Sequence, residues 1–497
     1  MVFSSLYFIF IFLPAITALY YVAKKIWPNK IIIRNIILCL FSLFFYAWGE
    51  PLYVLLMLLS IICNFFFAKS RNKAVFVIAI IFNLIFLFFF KYLGFAIENL
   101  NKMLSVMSQQ TVQSQLSKQA VQIKVPQLKL PIGISFYTFQ ALSYIIDVHR
   151  KKVEPQKNLI SLALYISLFP QLIAGPIVRY TEIEREILER KDTFDNFING
   201  LKDFILGLGC KVILANNLAV VADNILDSPE LACSGIVWLA LISYAFQIYF
   251  DFSGYSRMAI GLGKMFGFRF PENFNYPYCA DSITDFWRRW HMTLSGWFRD
   301  YVYIPLGGNR VSIIKHIRNI IITWLFTGFW HGASWNFVLW GLYYGLLLIF
   351  EKYVTFRIVE KLPQEKIPYK IVKIVIRFAA LFLILFGWAL FRMENLTQLA
   401  EVFQKMFTTD GVSLIEFVSQ HADTCSKLVF LIPAVVCSLP VYKWIFRKQE
   451  MSEAIEANKY VSKVSEVLEL VLVFVIFVIS VCLLIASTYN PFIYFRF

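Results

Sequence analysis

Residues 282–336 read SITDFWRRWHMTLSGWFRDYVYIPLGGNR, then a short basic loop, then IIITWLFTGFWHGASWN. Two histidines, His291 and His331, stand here among tryptophans, arginines and glycines, inside a chain that is otherwise mostly lipid-compatible hydrocarbon. Ser282 can cap a helix, and Asp285, three residues on, can answer it. Trp287, Trp290, His291, Leu294 and Trp297 then recur at three- and four-residue spacing, which predicts one helix with an aromatic face that includes His291. Arg288 and Arg289 fall beside that face. Arg310, Lys315 and Arg318 flank the far end, so this helix is expected at or within the inner boundary of a membrane, and residues 303–308 stop it. Residues 320–330 then rise and residues 337–350 return, setting His331 at or near the apex of a helical hairpin. A bare histidine in lipid is costly, so His331 is expected to face a polar cavity inside a bundle. For His291 a functional role and plain structural hydrogen bonding both stay open.

Outward from this stretch, composition gives the class. Of 497 residues 59% are hydrophobic and 16% charged, and the mean hydropathy is +0.64, far more apolar side chain than one soluble domain can hide. A helix needs about 20 apolar residues to cross about 30 Å of hydrocarbon, and lipid satisfies no backbone amide, so the runs predict an all-α polytopic membrane protein with roughly ten to twelve spans. A formal net charge of +15 would suit nucleic acid, but the Lys and Arg lie in short loops between apolar runs. That is the pattern of positive-inside topology, and no nucleic-acid partner is expected. The eight cysteines are scattered without a CxxC pair and read as small buried hydrophobes, with no metal site expected.

Residues 6–22 lack a basic stretch ahead of them and are followed by Lys24, Lys25, Lys30 and Arg34, as in an uncleaved first span with the N-terminus outside. Spans opening at Ile36 and Leu52 form a hairpin turned at residues 48–51, and a fourth covers residues 74–90. Residues 101–131, rich in Gln, Ser and Lys, form an outer polar loop. A span ending at Asp147 meets His149, Arg150, Lys151 and Lys152, which mark the inside again. Pro170, Gly175 and Pro176 predict a broken or re-entrant segment lining a cavity, with a kinked ordinary span as the alternative. A charged helix at the inner surface follows. Spans are then expected at residues 204–221 and 236–250, the second with Asp251 at its end, where pairing and a simple interfacial position fit equally well. Residues 261–264, GLGK, lack the spacing of a nucleotide-binding loop.

Past Glu351 the pattern is a basic inner loop to Arg377, a span to Leu390, an outer segment with His421, a span at residues 428–441, a polar inner loop, and a last span at residues 470–486. That leaves the C-terminus outside. The whole reads as one membrane domain: N-terminal spans and outer loop (1–130), core (131–350) and C-terminal spans (351–497).

The motifs PIGISFYTFQALSYIIDV, FPQLIAGPI, QIYFDFSGYSRMAIGLGKMFGF, DFWRRWHMTLSGWFRDYVYIPLGG and FTGFWHGASWNFVLWG, between residues 131 and 341, resemble the membrane-bound O-acyltransferases. The likeness is to the bacterial branch that holds the alginate O-acetyltransferase membrane subunit, peptidoglycan O-acetyltransferases and the teichoic acid D-alanyl transferase. It implies a ring of helices around a central funnel, with donor and acceptor approaching from opposite faces of a bacterial cytoplasmic membrane. It also implies His331 as the catalytic histidine and His291 as a second, supporting one. Residues 491–497, PFIYFRF, resemble the terminal motif of the small partner in the D-alanylation system, which makes Tyr494 a candidate acyl relay; an interfacial aromatic anchor is the alternative.

The chemistry suits the residues. Moving an acyl group from a thioester to a hydroxyl calls for a base that titrates near working pH, and imidazole does. It also calls for donors aimed at an oxyanion, for which Trp330, Trp335, Asn336 and a protonated His291 are candidates. The expected donor is acetyl-CoA or an acyl-carrier thioester, meeting Arg288 and Arg289 at the inner face. The expected partner is a separate extracytoplasmic polysaccharide acetyltransferase. A proton-coupled polysaccharide or lipid transporter is the competing class, disfavoured because the apolar runs hold few carboxylates. A lipid or protein acyltransferase of the same family is a third.

Overall fold

Every long apolar run folds as a helix, since inside a bilayer a helix is the way for one segment to satisfy its own amides. The computed structural model describes residues 1–111, 122–126, 128–229, 233–363, 367–393, 395–408, 414–441, 459–487 and 489–493, and no strand occurs among them. In chain order the first helices are α1 (Phe8–Ile26), α2 (Ile31–Gly49), α3 (Tyr53–Lys69), α4 (Lys73–Met107), α5 (Ile134–His149), α6 (Leu159–Ser167) and α7 (Tyr180–Leu188). The central pair is α8 (Phe194–Leu226) and α9 (Ser234–Met265). Then come α10 (Ile283–Arg289), α11 (Met292–Phe298), α12 (Ile313–His331), α13 (Trp335–Glu360), α14 (Ile367–Arg392), α15 (Leu396–Phe407), α16 (Leu431–Cys437) and α17 (Lys459–Ala486). Eight of the described helices are long and apolar enough to cross a membrane, and α3 is a shorter apolar helix. The protein is therefore an all-α polytopic membrane protein.

The helices divide by what surrounds them. In α8 and α9 72% of the apolar window is buried in protein, whereas in α17 only 11% is, so α17 presents Phe474, Val475 and Ile479 to lipid and the α8–α9 pair forms the interior. Glycines set how closely that pair approaches. A Cβ on Gly207 would lie 2.6 Å from the Gly254 carbonyl oxygen, and one on Gly254 would lie 2.8 Å from the Gly207 oxygen, so only glycine allows this contact. The α12–α13 hairpin closes the same way, with a Cβ on Gly328 reaching 3.1 Å from the Gly341 backbone.

Between α6 and α7 the chain breaks as the prolines and glycine predict. After α6 comes one helical turn, Phe169–Leu172, and then a turn and extended backbone, all buried. Three of its polar groups are met inside the protein: Phe169 N donates to Ser42 Oγ at 3.1 Å, Gln171 Nε2 to the Tyr165 carbonyl at 2.5 Å, and Ile177 N to Thr293 Oγ1 at 3.0 Å. Irregular backbone is tolerated at membrane depth on this condition.

Several local expectations change, and the polar stretch expected as a loop from residue 101 first continues α4 as helix to Met107. The single amphipathic helix through His291 is two short helices, α10 and α11, with His291 between them in the left-handed region at φ 44°. The expected span at residues 428–441 is a tight 3-10 turn followed by the seven residues of α16, too short to cross; Pro433 sits in the first turn of α16 and Pro440 in the turn that follows it. Helix α9 runs well past residue 250, so Asp251 lies inside the helix and is buried rather than at a boundary.

Candidate active site

The kink at His291 is enforced from outside its own helix. Asn273, in the loop after α9, accepts Met292 N on its carbonyl at 2.9 Å. Its side-chain Oδ1 accepts Thr293 N at 3.2 Å, Thr293 Oγ1 at 2.9 Å and His291 Nδ1 at 3.1 Å. Its Nδ2 donates to Ser256 Oγ at 3.0 Å. Left-handed backbone at a non-glycine residue costs about 1–2 kcal/mol, and these bonds over-determine it. Because Asn273 Oδ1 is an acceptor, the assignment that satisfies it puts the His291 proton on Nδ1 and turns the Nε2 lone pair to the interior.

His331 is placed by different forces. It ends α12, and the carbonyls of Trp330 and His331 accept the Lys91 ammonium at 2.6 and 3.0 Å. A cation at the C-terminal end of a helix meets orphan carbonyls and the negative end of the dipole. The imidazole itself is walled by rings, with centroids at 4.9 Å to Trp330, 5.2 Å to Trp340 and 5.0 Å to Phe391. Among the described residues its ring nitrogens make no hydrogen bond. Trp330 lies between the two histidines, edge-on to His291 at 6.2 Å. It packs in turn on Phe139, which stacks on Trp297 at 3.8 Å.

Of the residues singled out in the sequence, His291, Trp330 and His331 come together. Trp335 does not reach them: it is half exposed and its indole donates to Asn99 Oδ1 at 3.0 Å, because the turn at residues 332–334 swings it to the outer side of α13. Asn336 is buried beside the site but donates to the Met393 carbonyl, fixing the end of α14. Arg288 is exposed and Arg289 pairs with Asp285 at 2.9 Å, a turn away from His291. Tyr494 lies outside the described residues. Among the described residues no three His, Cys, Asp or Glu side chains gather to hold a metal.

Sequence reasoning passed over Lys91, Asn273 and Thr293. Lys91 carried a usable signal, a lone charge within FLFFFKYLGF, and intramembrane charges mark function or pairing. Asn273 carried none, since its importance comes from a contact across the fold. Asp251, left open above, is paired: Lys211 approaches its Oδ1 at 2.5 Å, both side chains being buried.

A buried imidazole pair separated by one indole, inside an all-helical membrane bundle, has the groups for acid–base chemistry at membrane depth. Residues 151–391 match the model of the MBOAT, membrane-bound O-acyltransferase family. The chain is 39% identical over 419 residues to a probable alginate O-acetylase of Pseudomonas aeruginosa, covering 82% of this chain and 75% of that one. It is 31% identical to a peptidoglycan O-acetyltransferase of Helicobacter pylori over 100% of this chain and 98% of that one. It is 32% identical to a teichoic acid D-alanyltransferase of Bacillus subtilis over 45% of this chain and 60% of that one. The chain belongs to the membrane-bound O-acyltransferase family and is an O-acyltransferase.

Proposed function

We propose that this enzyme takes an acyl group, acetyl in preference to D-alanyl, from a cytoplasmic thioester and passes it across the membrane for O-acetylation of an extracytoplasmic polysaccharide, with His331 as general base. The observation that carries the reading is the placement of His331: buried at a hairpin apex, one indole from His291, with ring nitrogens that no described residue occupies. The names of the P. aeruginosa and H. pylori relatives support acetyl and a polysaccharide.

In the reaction a hydroxyl oxygen attacks the thioester carbonyl carbon while His331 takes the hydroxyl proton, a role that supplies about 10²–10⁴-fold. The tetrahedral intermediate carries an oxyanion, for which the Trp330 indole is the donor on hand, since Trp335 is turned to Asn99; His291 joins it only in the form that carries a second proton, on Nε2. The C–S bond then breaks, the thiolate recovers the proton from the imidazolium, and the products are an ester and a free thiol. Rings around His331 exclude water that would compete as a nucleophile. Acetyl-CoA or an acyl-carrier thioester docks at the inner face, where exposed Arg288 is available to phosphates or an acidic carrier surface.

The first acceptor is the Tyr494 hydroxyl, and a separate extracytoplasmic acetyltransferase removes the acetyl group to the polymer. The neighbouring tail supports this: Phe492 lies 6.3 Å from Phe252, whose ring is 6.5 Å from His291. The enzyme sits in the bacterial cytoplasmic membrane with both termini outside. Purified wild type incubated with acetyl-CoA, and separately with an acetylated carrier protein, is expected to gain the mass of one acetyl group on Tyr494. Tyr494→Phe is expected to gain none and to leave polymer acetylation abolished; intact polymer acetylation in that variant removes the relay from the mechanism.

A further inference from the structure

The tail at residues 489–493 is tied into the interior at each residue. Tyr489 donates its hydroxyl to Asp223, whose other oxygen accepts Arg392 Nη2 at 2.8 Å. Asn490 donates to the Ser4 carbonyl at 2.9 Å and accepts from Asn216 Nδ2 at 3.1 Å. The Pro491 carbonyl accepts from Lys211 Nζ, Phe492 packs on Tyr255 with centroids 5.0 Å apart, and Ile493 N donates to Asp251 Oδ2 at 2.8 Å.

Two of these contacts share one feature, the buried ion pair between α8 and α9. Lys211 and Asp251 are 3% and 1% exposed, and two charges at such depth cost several kcal/mol each unless every remaining proton and lone pair is met. Three oxygens surround the Lys211 ammonium: it hydrogen-bonds Asn216 Oδ1 at 2.9 Å and the Pro491 carbonyl, and it faces Asp251 Oδ1 as an ion pair. Asp251 offers its second oxygen to the Ile493 amide. The tail thus adds one hydrogen bond to each ion with matched polarity, its carbonyl toward the cation and its amide toward the anion. The pair is not needed to bring α8 to α9, because the Gly207–Gly254 contact already does so. Lys211 also lies in a π-helical turn, Cys210–Ala215, and such turns recur at functional sites.

We propose that Lys211 and Asp251 are positioning residues: together they form a latch that grips the backbone of residues 491–493 and holds Phe492 on the ring path that runs through Phe252 to His291. The positioning role rests on the reading above that the tail takes part in the transfer; the grip itself does not.

The test uses the full chain in lipid nanodiscs. It reads hydrogen exchange of amides 489–493 and, separately, acetyl transfer. Lys211→Met with Asp251→Leu replaces the pair by apolar side chains of similar size, a change that buried pairs often tolerate. Lys211→Asp with Asp251→Lys keeps an ion pair but reverses its poles, so position 211 no longer donates to the 491 carbonyl and position 251 no longer accepts from the 493 amide. In both variants α9 amides are expected to stay protected while tail amides exchange at least about tenfold faster than in wild type. The turnover number is expected to fall by a similar factor with the KM for the thioester unchanged. Wild-type tail protection in either variant overturns the latch, and loss of α9 protection in the apolar variant assigns the pair to helix packing and overturns it too. A released tail with unchanged transfer overturns the positioning role and the tail's part in the reaction, while the role of His331 stands on its own test.

Discussion

His291 and His331 are one indole apart, yet the fold holds them by opposite means. His291 is fixed through its side chain: Asn273 ties down Nδ1, the next two residues and the kink itself. His331 is fixed through its backbone, by Lys91 on the carbonyls and by aromatic rings around an imidazole that is left chemically free. A group that must pick up and return a proton needs its nitrogens uncommitted, whereas a group that must point at a developing charge needs a fixed direction. The two neighbourhoods support the two proposed duties, base for His331 and oriented donor for His291.

The contrast can be broken from either side. The largest effect is expected at the ring wall: Trp340→Ala removes a fully buried side chain that touches His331, Phe391 and Trp287, and truncations of this kind cost about 3–5 kcal/mol. Thermal unfolding of the purified protein should show it, together with loss of transfer. Next, Asn273→Ala leaves the buried Thr293 amide without its acceptor, a loss of about 1–3 kcal/mol. Turnover should fall with it as His291 loses its direction; unchanged turnover would mean that His291 needs no orienting.

The kink itself can be weighed more finely. His291→Gly and His291→Ala both remove the imidazole, but glycine accepts φ 44° freely, so the glycine variant should be the more stable by about 1 kcal/mol. Equal unfolding midpoints would mean that the backbone at residue 291 is not strained. The smallest effect lies outside the bundle, at Asp300. Partial burial pushes its carboxyl up, but the hydrogen bond from Arg299 and the charge and hydrogen bond of Arg179 outweigh this and hold it below its ordinary value. A carboxyl lowered on folding contributes stability that is full above its unfolded value and is lost as pH falls through the lower folded one. After solvent screening that contribution is under about 1 kcal/mol, and Asp300→Asn should remove it from the acid limb of a stability–pH curve.

Much of this was legible in the sequence because membrane helices obey a simple rule of length and apolarity, and because the hairpin around His331 is written locally, in the apolar runs at residues 320–330 and 337–350 and the polar apex between them. The break after α6 was legible for the same reason, from Pro170, Gly175 and Pro176. The kink at His291 was not. A helical period runs unbroken through Trp287, Trp290, Leu294 and Trp297, no proline interrupts it, its one glycine, Gly296, falls after the kink, and the cause, Asn273, acts from a separate loop. Asp251 misled in a similar way: an acidic residue looks like the end of a span until its partner Lys211, on another helix, is in view. Lys91 was legible as an isolated charge, but what it caps became apparent only when α4 lay against the apex.

The most direct measurement is the acetate released by mild base from cell-envelope and secreted polysaccharide. It compares cells making the wild type, His331→Ala or no enzyme, with equal protein in the membrane. The expected result is acetate with the wild type and a loss of at least about 100-fold in His331→Ala, the scale of a missing general base. Wild-type acetate in His331→Ala would contradict the assignment of the base, and equal acetate in all three would contradict polysaccharide acetylation itself.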